Sequence, residues 1–119
     1  MLKVLVVEDE PYVRRGIVLS VDWTALDCFV VGEAANGEEG YDAALKFQPN
    51  IIITDIRMPK MDGIEMLKRL READCKSEVI ILTAYSDFEY AQNALHYGAA
   101  DYLLKPFHDG ELEQVIVSI

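Results

Sequence analysis

Five polar side chains, each placed just after or at the end of an apolar run, could together handle a phosphoryl group. Glu8 and Asp9 follow the run Leu2–Val7, and Asp55 ends the run Ile51–Asp55. Thr83 follows the run 79–82, and Lys105 follows 101–104. Three crowded carboxylates repel one another unless a cation neutralises them. Hard oxygen donors suit Mg2+, which takes one or two carboxylates, keeps several waters and binds a substrate phosphate. A lysine and a hydroxyl opposite the metal would serve the remaining phosphoryl oxygens, leaving one aspartate as nucleophile. Each residue alone has a plainer reading. Glu8-Asp9 could be charge at a helix start, Asp55 a turn residue, Thr83 a strand-end residue and Lys105 a solvated cation. Compatible chemistry at four separate strand exits favours one shared site.

The elements that position these groups can be read from periodicity. The run 51–54 is unbroken, apolar and mostly β-branched, which suits a strand buried on both faces. Leu2–Val7, 79–82 and the shorter 101–104 read the same way, and 29–34 as a weaker strand. Between them lie helical stretches. Pro11 suits a first helical position, and Val13, Ile17, Val18 and Val21 recur at helical spacing. Asn36 with Glu39 and Asp62 with Glu65 are capping patterns, and Ser86 with Glu89 is a full capping box. Tyr41, Ala44 and Leu45, then Ile64, Leu67 and Leu70, then Phe88, Ala91 and Leu95 are expected to face inward. Gly98 would end the fourth helix in a left-handed cap. Asp109-Gly110-Glu111 starts the last helix, where Leu112, Val115, Ile116 and Ile119 form the clearest apolar stripe. Strand and helix alternate five times with short connections, the signature of a doubly wound α/β parallel sheet in one domain. All strand exits then lie along one edge. The first and third are neighbours at a topological switch if the order is flavodoxin-like.

Composition narrows the function. At 119 residues, 51% hydrophobic and 27% charged, the chain can bury one core unaided. A net charge of −10 repels nucleic acid and anionic membranes, so any action on DNA needs a contact from outside this chain. Cys28 and Cys75 have no metal-ligand spacing and are expected as thiols in a reducing cytoplasm. The start has neither a signal peptide nor a membrane span, so a cytoplasmic protein is expected.

The acidic pair, TDIRMPKMDG, Thr83-Ala84 and Lys105-Pro106, in this order across the whole chain, resemble the receiver domain of bacterial two-component response regulators. The resemblance implies a five-stranded (βα)5 fold of order 2-1-3-4-5. It implies that Asp55 accepts a phosphoryl group from a phosphohistidine on a sensor histidine kinase. Asp9, Asp55 and the backbone carbonyl of Arg57 would bind Mg2+ directly, with Glu8 acting mainly through water. Thr83 and Lys105 would take phosphoryl oxygens, Lys105-Pro106 would be a cis peptide, and Tyr102 would be the aromatic switch residue. The face of the fourth helix, fifth strand and fifth helix would then change shape, pairing two receivers or engaging an output domain. The pair is Glu-Asp rather than Asp-Asp, which a water-mediated role for Glu8 tolerates. Arg57 and Tyr85, at positions that tune dephosphorylation, are large enough to hinder water, implying a phosphoryl group that outlasts seconds. His96 and His108 are expected on the surface. The segment 84–91, with Val21-Asp22-Trp23, resembles receivers that precede an AraC-type helix-turn-helix output domain. That domain is absent from these 119 residues, as in a chain cut from a longer regulator.

Three other readings compete with this one. A haloacid dehalogenase-type phosphatase wants a second aspartate two residues after the nucleophile, where this chain has Arg57. Turnover of external phosphoesters is therefore not expected. A flavin mononucleotide binder needs a hydroxyl- and glycine-rich loop after the first strand, where Glu8-Asp9-Glu10-Pro11 would repel phosphate. A stand-alone receiver acting through protein contact is compatible with every residue.

Overall fold

The computed structural model describes residues 1–84, 87–105 and 110–119, with Phe88 described by its backbone alone. Five strands alternate with five helices: β1 Leu2–Val7, α1 Pro11–Ser20, β2 Cys28–Ala34, α2 Gly37–Phe47, β3 Ile51–Asp55, α3 Gly63–Glu72, β4 Glu78–Ala84, α4 Phe88–His96, β5 Asp101–Lys105 and α5 Glu111–Val117. The strands form one sheet of order β2-β1-β3-β4-β5 with every pairing parallel. This is the flavodoxin-like order that the resemblance implied. Its switch point lies between β1 and β3, with Val7 level with Thr54 and Asp55 level with Leu82.

Alternation along the strands gives the sheet two apolar faces. Leu5, Val7, Ile52 and Ile81 pack with Leu67 of α3 and Ala91 of α4. Val4, Val6, Ile53 and Ile80 pack with Ile17 of α1 and Leu112 of α5. Residues Ile52 and Ile53 are wholly buried, as a strand covered on both sides requires.

The helix starts are written locally. Asn36 accepts the Glu39 amide at 2.9 Å, and the Glu39 carboxylate answers by accepting from the Ala35 amide and the Asn36 side chain. Asp62 accepts the Glu65 amide at 2.8 Å. Gly98, at φ +90°, follows α4 in the left-handed region as expected.

Other expectations need correction. Leu45 and Leu95 are each 42% exposed, and Ala94 rather than Leu95 joins Ala91 against the sheet. The small pair brings α4 close to the strands and turns Leu95 outward. Ile119 lies beyond α5 and is exposed. The N-cap of α4 is Asp87, whose side chain makes no capping bond. The roles expected for Tyr85, Ser86, Pro106, His108 and Asp109, and the inward packing of the Phe88 side chain, lie outside the described residues. So does the geometry of the Lys105–Pro106 bond.

Arg71 ties the far end of α3 to two loops. Its guanidinium donates to the carbonyls of Cys75, Ser77 and Gly98 at 2.7–3.0 Å. No spacing in the sequence announces this. Arg71→Ala should cost about 2 kcal/mol, since hydrogen bonds to a charged donor are lost and the carbonyls left behind are partly shielded. Urea denaturation checks it, and an unchanged midpoint would contradict it.

Candidate functional site at the carboxyl edge of the sheet

The β1 exit is held from two sides. The Glu8 amide donates to the Ala34 carbonyl at 3.0 Å. Arg14 of α1 donates to the Glu8 carbonyl at 2.8 Å while also pairing with Glu33. At the β3 exit, the Ile56 amide donates to Asp55 Oδ1 at 2.7 Å. Two residues from adjacent strands are thereby fixed with their carboxylates facing one crevice.

Carboxylate oxygens of Glu8, Asp9 and Asp55 all lie within 4.8 Å of one another. Lys105 Nζ enters the same crevice from β5, 3.1 Å from Asp55 Oδ2 and 3.4 Å from Glu8 Oε2. Glu8 is only 2% exposed. Burial above all, then the hydrogen bond with Asp55 and the charge of Asp55, pushes its pKa up to about 8 against the pull of Lys105. Burial draws Lys105 down, but the charges of Asp55 and Glu8 outweigh it and hold the ammonium above its ordinary value. The pocket therefore carries more negative charge than its one lysine balances, and a proton on Glu8 relieves the excess. A divalent cation would relieve it in the same place. Three oxygen donors from two strand ends fit Mg2+.

The remaining predicted residues are less close. Thr83 is fully buried on β4, and its hydroxyl donates to the Ala84 carbonyl at 3.2 Å. Tyr102 is half-buried on β5, level with Ile81, and packs against the core. The Arg57 side chain is exposed, with its Nε 2.8 Å from Oδ1 of the buried Asp87. His96 is exposed, and both cysteines are free thiols.

Sequence reasoning missed Arg14 and Asp87. Arg14 carried no motif, and Asp87 had been absorbed into a capping pattern. A cleft of about 820 Å3 opens near Pro49, Asn50 and Cys75 and holds none of the site residues. Among the described residues, no helix is long and apolar enough to cross a membrane.

Known proteins resemble this chain in sequence and fold. The family described as "Response regulator receiver domain" matches residues 4–117. The transcriptional regulatory protein YesN of Bacillus subtilis is 36% identical over 123 residues, covering all of this chain and 33% of YesN. The chain thus spans about a third of that curated relative, and 45% of others that it matches. The REC domain of AraT, a response regulator from Geobacillus stearothermophilus, superposes with a TM-score of 0.91 at 38% identity, over 98% of this chain and 91% of that one. A chain of the CheX–CheY–BeF3–Mg2+ complex from Borrelia burgdorferi does so at 0.88 and 28% identity, over 98% and 87%. With the family matched over nearly its full length and the acidic crevice at the β1–β3 switch point, this chain belongs to the response regulator receiver domains of two-component systems.

Proposed function

We propose that Asp55 is the phosphoacceptor, and that the domain relays a kinase signal to a DNA-binding output. The observation that carries this reading is the Asp55 carboxylate, set between the Lys105 ammonium and the carboxylates of Glu8 and Asp9. In the reaction, an Asp55 oxygen bonds to the phosphorus of a phosphohistidine on a sensor histidine kinase. The P–N bond breaks, and the imidazole nitrogen keeps the electron pair. Asp9, Asp55 and the Arg57 backbone carbonyl would hold Mg2+, with Glu8 acting through water; the ion supplies charge neutralisation as the phosphoryl group arrives.

Lys105 is already in place to turn from the Asp55 carboxylate to a phosphoryl oxygen. Thr83 would exchange its bond to the Ala84 carbonyl for another phosphoryl oxygen, and Tyr102 would follow into the vacated space. The α4–β5–α5 face then presents a different surface, for pairing with a second receiver or for engaging the output domain. Support for a transcriptional output is the name of YesN and the length of that protein outside the matched third. An AraC-type helix-turn-helix partner rests on the sequence of 84–91 and 21–23 alone. Membership of a signalling family supports a cytoplasmic relay that accepts and loses one phosphoryl group without turnover of an external substrate.

Intact mass after incubation with acetyl phosphate tests the reading. The wild type should gain one phosphoryl group with Mg2+ and none with EDTA, and Asp55→Asn should gain none. A wild type that stays unmodified, or an equal gain in Asp55→Asn, would overturn it.

A further inference from the structure

Asp87 stands at the N-cap of α4, yet its carboxylate caps nothing in the helix. An aspartate there ordinarily accepts a first-turn amide. Here Oδ1 instead takes the Nε of Arg57, thirty residues earlier, at 2.8 Å. The two side chains are unequal, with Asp87 8% exposed and Arg57 76%. A surface guanidinium can return to water, whereas a buried carboxylate without its counter-charge is costly. Asp87 therefore dictates where Arg57 goes.

One turn further on, the same face of α4 makes a parallel attachment. Tyr90 Oη lies 3.4 Å from Asp62 Oδ2, while Oδ1 of Asp62 caps α3. The start of α4 is thus fastened near both ends of loop 56–62, the loop that leaves Asp55. Local capping has been given up for a tertiary anchor.

We propose that Asp87 is a positioning residue for the cation site. Acting through Arg57, it fixes the main chain at position 57, where the carbonyl is offered to the metal, and so couples cation binding to the seating of α4. The inference rests on the metal-ligand reading given above. Coupling of this kind is reciprocal: whatever a bound cation does to steady α4, the α4 anchor does to steady the cation. It gives the acidic crevice a route to the α4 face that does not pass through Thr83 and Tyr102.

Mn2+ is the probe, with free ion read by electron paramagnetic resonance and α4 followed by hydrogen exchange across 87–92. Asp87→Asn removes the charge but keeps a side chain able to cap, so the helix start is retained. Its Mn2+ Kd should rise by about fivefold or more. Mn2+ should slow exchange at 87–92 in the wild type and not in Asp87→Asn. Asp87→Glu, which keeps the charge, should recover most of the affinity. In an Arg57→Ala background, Asp87→Asn should add no further loss. An unchanged Kd in Asp87→Asn, additive losses, or no Mn2+-dependent protection in the wild type would overturn the coupling and leave the metal site standing. A folded wild type that binds no Mn2+ would overturn the metal reading and this inference together.

Discussion

In EDTA, raising the pH from 5 to 8 should lower the stability of the wild type by about 3 kcal/mol, roughly 10 °C in Tm for a domain of this size. The cause is Glu8, whose folded pKa of about 8 stands above its ordinary value of 4.5. Between these two values the folded state keeps a proton that the unfolded chain has released. Stability therefore falls as pH rises through the interval, by at most about 1.4 kcal/mol per unit. The contribution is fully present below pH 4.5 and gone above pH 8. Glu8→Gln carries the neutral form permanently and should flatten the profile. Mg2+ should do so as well, because its charge takes the place of the proton. Thermal melts from pH 5 to 8, with and without Mg2+, check this. A wild-type slope that survives in Glu8→Gln would place its origin elsewhere.

Gly63→Ala should be the more damaging change, costing about 3 kcal/mol and weakening cation binding together. A Cβ at residue 63 would lie 2.1 Å from the Asp55 carbonyl oxygen and 3.2 Å from the Ile56 Cα. Both neighbours are backbone, so no rotamer change relieves the clash. The Gly63 amide also donates to the Ile56 carbonyl at 2.7 Å, which draws the start of α3 onto the exit of β3. Opening this contact must displace Asp55 itself. Gly16, inside α1, is the natural control, because a Cβ there meets nothing within 4 Å. Gly16→Ala should stabilise by about 0.5–1 kcal/mol through helix propensity. Chemical denaturation of the two variants side by side should move the midpoint in opposite directions. Equal midpoints would show that the close approach at Gly63 is not needed.

The parts of the fold that were legible in the sequence are those governed by near neighbours. Unbroken runs such as Ile51–Ile53 mark strands covered on both faces, and Asn36 with Glu39 marks a helix start within four residues. The site was legible for the same reason, since a parallel sheet brings every strand exit to one edge and Glu8, Asp9, Asp55 and Lys105 are all exit residues. Contacts between distant residues left no such trace. Nothing near Asp87 marks it as the counter-charge of Arg57, and the capping box Ser86–Glu89 that spans it gives Asp87 no role of its own. Arg71 reaches Gly98 and Arg14 reaches Glu33 across gaps that no periodicity spans. The spacing points Leu95 inward, but the small Ala94 is the residue that meets the core and Leu95 is exposed. Burial of Glu8 to 2% is likewise a consequence of assembly: the acid looks solvated in the sequence, and only the fold brings Asp55 of β3 and the Lys105 side chain of β5 against it.

Chemical trapping locates the phosphorylated carboxylate directly. After acetyl phosphate and Mg2+, borohydride reduces an acyl phosphate to an alcohol, converting an aspartyl phosphate to homoserine, and peptide sequencing by mass spectrometry reads where. Homoserine should appear at position 55, dependent on Mg2+, with Glu8 and Asp9 unreduced. Reduction at Glu8 or Asp9 in place of Asp55, or a phosphoryl group that resists borohydride altogether, would contradict it.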